Sequence, residues 1–407
     1  MQAASQSAAK VYSPVGSVLE VFLCFLRLGL TSFGGPIAHL GYFRRVLVER
    51  KGWVSEAVYA DLIALGQFLP GPASSQVGFS LGVLRAGLWG GIAAWVGFTL
   101  PSAALLLGFA FLQPYVSDSS VDQAVIHGLK LVAVAVVAQA VLGMARTLCP
   151  DKRRASIALA SILAVLFLPT SVAQITTILG GAIAGLALCR STPESVAEIE
   201  TGWSAPRGLT PICLGLFAVL FLPGSDWLRE GGAATLFHGF YKTGALVFGG
   251  GHVVLPLLRQ QVVAPGWVSE AQFLSGYGAA QAVPGPLFTF ASYLGAVSNV
   301  GGGGIAGAAV ALVAIFLPGL LLMLAMLPHW HWFRRHALAR AAMNGINASV
   351  VGILAVALYD PVWTSAVHSH ADFGIAAIGF VLLVALNAPP LVVVAVSVLG
   401  AAAMTMI

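Results

Sequence analysis

The sequence predicts an all-α polytopic membrane protein made of two inverted-topology repeats with broken or re-entrant helices, in about 10 to 13 membrane segments. Hydrophobic residues form 58% of the 407-residue chain and charged residues only 9%, whereas soluble domains carry roughly 25% charged residues. Apolar stretches of membrane-spanning length recur, and several short motifs occur twice. A soluble protein of this size is therefore excluded. Nucleic-acid binding is also excluded, because the 20 Lys and Arg residues are scattered and form no basic stripe.

The apolar segments divide by length into two classes. A crossing of ~30 Å requires roughly 20 apolar residues in a helix. The stretches long enough are 15–34, 86–112, 122–147, 171–190, 235–250, 304–327, 341–359, 373–388 and 390–407. Half-helices, re-entrant segments or crossings of a thin membrane are predicted at 57–69, 155–168 and 209–222. Residues 1–18 are polar and do not resemble a cleaved signal peptide, so the first apolar segment is expected to be retained.

The second half of the chain repeats motifs of the first half in the same order. Phe33-Gly34-Gly35-Pro36 recurs as Phe248-Gly249-Gly250-Gly251, and Gly-Trp-Val-Ser-Glu at 52–56 recurs identically at 266–270. Gln67 with Pro70-Gly71-Pro72 matches Gln281 with Pro284-Gly285-Pro286. Such self-similarity indicates an internal duplication. We predict a first repeat over 1–190, a linker with an extra apolar segment over 191–234, and a second, inverted repeat over 235–407.

The distribution of Lys and Arg predicts the inversion, because these residues mark the cytoplasmic side of a membrane protein. The loop at 146–154 carries four of them, whereas its counterpart at 359–372 carries none. The loop at 113–122 carries none, whereas its counterpart at 334–340 carries three Arg. Equivalent loops are thus expected on opposite sides. Six segments per half plus the extra segment, or five per half with re-entrant short segments, both satisfy this inversion, so the span count stays open.

Glycine and proline interrupt corresponding apolar segments of the two halves. Pro lacks a backbone donor and Gly favours non-helical conformations, so the Gly34-Gly35-Pro36 element breaks the first segment. The Pro70-Gly71-Pro72 element ends one short helix and begins another, whose free amides can bind an anion. Side chains that can add donors are Ser74, Ser75, Gln76 and Thr289. Kinked packing is the simpler interpretation of one such element, but matching interruptions in inverted halves indicate a transporter substrate site.

Two cations lie at equivalent depths in the repeated segments. Arg27 and Lys242 each stand shortly before Phe-Gly-Gly. A charge inside the membrane costs at least ~2.5 kcal/mol and usually faces a polar pathway or a partner. We therefore predict that both contact an anionic substrate. The alternative is snorkelling or an ion pair with Glu20 or Asp61.

Further candidates are less specific. Arg44 and Arg259 are also equivalent but lie near segment ends, where interfacial anchoring is as well supported as substrate contact. Buried acids are scarcer than these matched cations, which favours an anionic substrate. His252 stands where the first half has Ile37, so the site is expected to be asymmetric. A His can change protonation near neutral pH, and a hydrogen-bonded structural role is the alternative.

The cysteines give no sign of a disulfide or a metal site. They lie in or beside apolar segments, without Cys-x-x-Cys or a His at metal spacing. The four are Cys24, Cys149, Cys189 and Cys213. No disulfide framework, metal or cofactor is predicted.

The order Phe-Gly-Gly-Pro, Gly-Trp-Val-Ser-Glu and Gln-x-x-Pro-Gly-Pro, repeated in one chain, resembles the chromate ion transporter family in its long two-domain form. The resemblance covers nearly the whole chain. It implies a multi-pass protein of the bacterial inner membrane that exports chromate, confers chromate resistance and takes sulfate as an isosteric dianion. It implies no enzymatic activity; the oligomeric state stays open, with a homodimer as one candidate. The family's characteristic residues correspond to Gly34, Gly35, Pro36, Gln67, Pro70, Gly71 and Pro72, and to Gly249, Gly250, Gln281, Pro284, Gly285 and Pro286.

Physical arguments bear on the direction and on the alternatives. Each charge that crosses 100 mV is worth roughly 2.3 kcal/mol, so a dianion leaving a negative-inside cell gains about twice that. An oxyanion-selective channel or a sulfate transporter built on the same helix ends is the alternative function. A membrane-bound chromate reductase is disfavoured, because the sequence shows no Rossmann fingerprint, Cys cluster or paired His at ligand spacing.

Overall fold

The computed structural model describes residues 16–33, 35–113, 120–168, 170–189, 206, 208–222, 232–248, 254–329 and 336–404. This part of the chain contains sixteen α-helices and no β-strand, which confirms an all-α polytopic membrane protein. Five predicted site residues lie outside these ranges. They are Gly34, Gly249, Gly250, Gly251 and His252.

The helices of the first half begin and end at local signals. They are α1 (Val18–Thr31), α2 (Gly35–Phe43), α3 (Glu56–Phe68), α4 (Ala73–Leu112), α5 (Ser120–Leu148), α6 (Lys152–Phe167) and α7 (Thr170–Leu188). A π-helical segment, Arg44–Arg50, continues α2. The Ser55 side chain accepts from the Val58 amide at the start of α3, and Asp151 accepts likewise from Arg154 at the start of α6. Each contact satisfies a helix-start donor that would otherwise lack a partner.

The second half repeats this order after the extra helix α8 (Leu209–Phe221). Its helices are α9 (Gly232–Leu246), α10 (Val254–Leu258), α11 (Glu270–Ala282), α12 (Phe290–Val297), α13 (Gly304–Met326), α14 (Ala337–Ala357), α15 (His370–Val384) and α16 (Pro390–Met404). Another π-helical segment, Arg259–Val263, continues α10. Ser269 caps α11 as Ser55 caps α3. The domain boundaries and the inversion of the two halves stay predictions.

Among the described residues, four helices are long and apolar enough to cross a membrane: Ala73–Leu112, Gln123–Leu148, Gly304–His329 and Ala337–Asp360. Shorter apolar helices are Ile175–Leu188, Leu209–Phe221, Leu287–Val297, His370–Val384 and Pro390–Met404. The predicted crossing at 15–34 contains the 14-residue helix α1, which ends at Thr31 before the Gly-Gly-Pro break. At 1.5 Å per residue, α1 spans only about 21 Å.

Helix α4 consists of two arms that fold against each other. Ala86 and Gly87 have non-helical dihedral angles, and Gly87 has a φ of +66°. The backbones of Gly82 and Gly90 approach so closely that neither position has room for a Cβ. The sequence predicts a separate segment at 86–112, and the turn at Ala86 and Gly87 is its start. The first arm, 73–85, has about two-thirds of the ~20 residues that a full crossing requires.

The two halves are interleaved. Helix α5 packs against α15 and α16, and its counterpart α14 packs against α6 and α7. Glycines permit both crossings, because Gly128 of α5 lies against the backbone of Val398, and Gly345 of α14 lies against that of Gly181. His127 Nε2 of α5 lies 2.6 Å from Asp372 Oδ1 of α15. Neither half therefore has a complete set of helix contacts by itself.

Labelling of single cysteines tests the predicted inversion. Ser156 of α6 and Ala371 of α15 occupy equivalent places near the starts of these helices. In a variant without the four native cysteines, a membrane-impermeant thiol reagent is expected to label Ser156→Cys from the cytoplasmic side and Ala371→Cys from the opposite side. Labelling of both from one side would contradict the inversion.

Candidate functional site

Each Pro-Gly-Pro turn donates a backbone hydrogen bond to the other half, at the place where a helix ends before a Phe-Gly-Gly motif. The Gly71 amide donates to the carbonyl oxygen of Val247 at 2.7 Å, and the Gly285 amide donates to that of Ser32 at 2.9 Å. Ser32 and Val247 are equivalent, since each precedes the Phe of a Phe-Gly-Gly motif. We call the two turns, 70–72 and 284–286, together with these two carbonyls, the central crossing. Each turn thus contacts the residue that precedes the Phe-Gly-Gly motif of the other half.

Only glycine suits the middle of each turn. Gly71 has a φ of +121° and Gly285 a φ of +98°, in a region that residues with a Cβ rarely adopt. A Cβ at Gly71 would lie 3.0 Å from the Gly319 Cα, and one at Gly285 would lie 2.8 Å from the Ser102 Oγ. The turns are therefore constrained by both backbone conformation and space.

Helix α4 begins at the first turn with buried polar residues. Ser74 and Ser75 are each 2% exposed and Gln76 is fully buried. The Gln76 Nε2 donates to the carbonyl oxygens of Pro70 at 2.9 Å and of Gly319 at 3.1 Å, so this side chain ties the first turn to α13. The amides of residues 73–75 precede the first intrahelical bond, which Gln76 makes to Pro72, and such amides form an anion site.

His39 of α2 lies beside the central crossing, and the sequence analysis did not single it out. It is 1% exposed. Its Nδ1 lies 3.4 Å from the Ser74 Oγ. The centroids of the His39 and Phe98 rings lie 5.2 Å apart in an edge-to-face arrangement. The Ser32 backbone also lies close to the His39 ring. His39 thus lies between Ser32, whose carbonyl accepts from the Gly285 amide, and Ser74 at the start of α4.

Several buried polar atoms around the central crossing have no hydrogen-bond partner among the described residues. They are Ser32 Oγ, His39 Nε2, Ser75 Oγ, Gln76 Oε1 and Thr99 Oγ1. Buried polar atoms are nearly always paired, because a missing hydrogen bond costs about 1–3 kcal/mol. Among the described residues, these atoms therefore have hydrogen-bonding capacity that no protein group uses.

The second half supplies a less polar counterpart. Phe288 and Phe290 occupy the places of Ser74 and Gln76 after the second turn, and both are buried. Thr289 is buried too, but its hydroxyl donates to the Pro286 carbonyl at 2.7 Å. Gln281 has a buried Nε2 without a partner in the described part of the chain. The described residues after the two turns thus differ in polarity, whereas the asymmetry predicted from His252 falls outside the described residues and stays a prediction.

The remaining predicted site residues have different environments. Gly35 begins α2 with a φ of +77°, and Pro36 beside it is half-buried. Gln67 is exposed on α3, unlike its partly buried equivalent Gln281. Arg27 is exposed on α1 and Lys242 is half-buried on α9. None of these environments tests the predicted contacts with substrate.

Arg44 and Arg259 form equivalent ion pairs. The Arg44 Nε lies 3.0 Å from Glu56 Oε2, and the Arg259 Nε lies 3.0 Å from Glu270 Oε2. The hydrogen bond that Arg44 donates to the Glu56 carboxylate raises the pKa of Arg44 above its ordinary value. Each pair links a π-helical segment to the start of the next helix, which gives both arginines a structural role.

A separate cavity of about 420 Å³ lies at the start of α6. Its lining includes Lys152, Arg153, Arg154 and Asn344. Arg154 binds Asp151 at 2.6 Å, and the Arg154 amide lowers the pKa of that carboxyl. This cavity is basic and lies in the loop predicted to be cytoplasmic, and none of its lining residues belongs to the central crossing.

Comparison with known proteins identifies the family. A family model described as chromate transporter matches residues 19–186 and again residues 234–404. The chromate transport protein of Pseudomonas aeruginosa is 27% identical over 369 residues, 88% of this chain and 84% of its own length. The probable chromate transport protein of Synechococcus elongatus is 30% identical over 347 residues, 85% of this chain and 84% of its own.

A shorter relative matches one part of the chain. An uncharacterized transporter of Bacillus subtilis is 33% identical over 148 residues, which are 76% of its length but 36% of this chain. No solved structure matches the chain. On the two matches of the family model, this chain belongs to the chromate transporter family, whose members are membrane transporters and not enzymes.

Proposed function

We propose that this protein exports chromate from the bacterial cytoplasm across the inner membrane by alternating access, with the substrate bound at the central crossing. The observation that carries the proposal is the pair of reciprocal hydrogen bonds from Gly71 and Gly285. A site to which both interleaved halves contribute can open to either side when one half moves against the other. Family membership supports chromate as the substrate.

The polar groups at the central crossing suit a tetrahedral oxyanion. Chromate and sulfate each present four oxygen atoms and accept hydrogen bonds from several directions. The amides of residues 73–75 and the hydroxyls of Ser74 and Ser75 can supply convergent donors. Such donors avoid the cost of burying additional cations. Sulfate is therefore proposed as a second substrate.

Vesicles of opposite orientation test the direction and the mechanism. Inside-out and right-side-out membrane vesicles are given a set potential with valinomycin and a chosen ratio of external to internal potassium. We expect saturable uptake of labelled chromate into inside-out vesicles that increases as their interior becomes positive. Competition by unlabelled sulfate tests the second substrate. Flux that does not saturate, with single-channel currents in planar bilayers, would overturn alternating access in favour of a channel.

Removal of the matched cations is expected to weaken transport. Arg27→Gln and Lys242→Gln each remove a positive charge from a membrane segment, and we expect initial rates of chromate transport to fall by about fivefold at equal protein in the membrane. Arg50→Gln, an exposed site at the end of the π-helical segment, is the control. Normal kinetics in both variants would leave Arg27 and Lys242 without a role in transport.

The ion-paired arginines are expected to matter much less. The Arg44–Glu56 pair is exposed and the Arg259–Glu270 pair is half-buried. Ion pairs in contact with solvent contribute about 0–1 kcal/mol, so Arg44→Gln and Arg259→Gln should change the initial rate by less than about threefold. Quantitative immunoblots of membranes provide the normalisation. A complete loss of transport with normal protein level would instead place these arginines in contact with substrate.

A further inference from the structure

His39 is a titratable group buried at the central crossing. It is 1% exposed, and its Nε2 has no partner among the described residues. Its Nδ1 faces the Ser74 Oγ at 3.4 Å. Removing an imidazolium from water is costly when no opposite charge is nearby. Without substrate, this environment therefore favours the neutral ring.

The charges of the neighbouring elements are bound elsewhere. Helix α4 and the segment Arg44–Arg50 pack against α2. The one charged residue of α4, Arg85, binds Glu20 at 3.2 Å, and Arg44 binds Glu56. On α3, the Tyr59 hydroxyl donates to the Leu40 carbonyl.

Four other charged residues belong to that segment and to α3. Glu49 lies 3.7 Å from Arg44, and Arg45 and Arg50 are exposed. Asp61 of α3 is also buried, at 6% exposed. It is the second candidate for a buried proton acceptor, and the test below separates it from His39.

We propose that binding of a dianion at the central crossing is coupled to protonation of His39, so that the anion moves together with one proton. The proposal rests on the proposed function. An N–H bond forms at Nε2 and an O–H bond of hydronium or of a buffer acid breaks, with no change of oxidation state. The dianion supplies the negative charge that the buried imidazolium lacks, and the new N–H donates to an anion oxygen.

This coupling sets the charge that crosses the membrane. A dianion that carries one proton moves one net negative charge instead of two. Transport then depends on the pH gradient as well as on the membrane potential. His39 has no counterpart in the second half, because Val254 stands at the equivalent position.

Proton uptake on binding tests the proposal. Purified protein in weakly buffered detergent solution is titrated with chromate at an alkaline pH where free chromate is a dianion, and a pH indicator reports protons. We expect about one proton taken up per chromate bound. His39→Gln keeps an amide donor but cannot titrate, so we expect it to bind chromate with uptake below about a fifth of a proton. His370→Gln, at an exposed position, is the matched control and should behave as wild type.

The outcomes separate this proposal from the proposed function. Binding to wild type without proton uptake, or uptake that persists in His39→Gln, would overturn the role of His39. Loss of uptake in Asp61→Asn with normal uptake in His39→Gln would assign the proton to Asp61 and also overturn it. Absence of chromate binding to folded wild-type protein would instead overturn the proposed function.

The charge carried per anion gives an independent measurement. In proteoliposomes, the ratio of electrical current to chromate flux should be about one charge per chromate for wild type and about two for His39→Gln. A ratio near two for wild type would contradict the coupling even if His39→Gln failed to fold.

Discussion

Gly71→Ala and Gly285→Ala are each expected to lower chromate transport by about tenfold or more, because an alanine at these positions distorts the turn that binds the opposite half. A residue with a Cβ forced to this backbone conformation costs about 1–3 kcal/mol, and each 1.4 kcal/mol corresponds to about a factor of ten. The added Cβ would also contact Gly319 or Ser102 at 3.0 Å and 2.8 Å. The measurement is the initial rate in vesicles, normalised to the amount of folded protein.

Two other glycines provide matched controls. Gly108 of α4 has open space around it and should tolerate alanine in both folding and transport. Gly52 has a φ of +58° and open space, so Gly52→Ala measures the cost of backbone strain without a clash. If Gly71→Ala and Gly285→Ala reduced only the amount of protein, with normal rates per folded molecule, the turns would serve packing and not substrate binding.

Gln76→Leu is expected to impair both stability and transport. The leucine has a similar volume but donates no hydrogen bond, so the buried carbonyls of Pro70 and Gly319 would lose the donor that joins them. Each unsatisfied buried carbonyl costs about 1–3 kcal/mol. We expect a lower midpoint of thermal unfolding in detergent and transport reduced by about tenfold or more.

The control for Gln76→Leu is the same substitution at Gln123. That side chain is exposed on α5, and surface substitutions change stability by less than about 0.5 kcal/mol. Gln76→Glu is a second informative variant, since it keeps the shape but places a negative charge beside the proposed anion site. Wild-type unfolding and transport in Gln76→Leu would show that the link between the first turn and α13 is dispensable.

Much of the fold follows from local sequence. Pro70-Gly71-Pro72 and its repeat predict interrupted helices because proline and glycine act on their own backbone, and the structure places turns there. Ser55 and Ser269 cap α3 and α11 by contacts within the same few residues. The repeat also predicts that Arg44 and Arg259 share one role, and both form the same ion pair.

Contacts between distant segments could not be predicted in this way. His39 resembles any other histidine of a helix in sequence, and its environment beside Ser74 and Phe98 depends on how α4 packs against α2. The double hydrogen bond of Gln76 likewise depends on Gly319 of α13. The one available signal for His39 was its position, three residues after Pro36 in the helix that begins at the Gly-Gly-Pro break.

The interleaved packing of α5 and α14 determines when the protein can fold during its synthesis. Helix α5 is made early, yet α15 and α16, against which it packs, leave the ribosome last. Until then the glycine face of α5 around Gly128 has no native partner, and contacts between residues far apart in sequence form slowly. The native packing of α5 can therefore form only after the last two helices have been synthesised. Two separately expressed halves should accumulate only when both are present, each acting as the missing partner of the other.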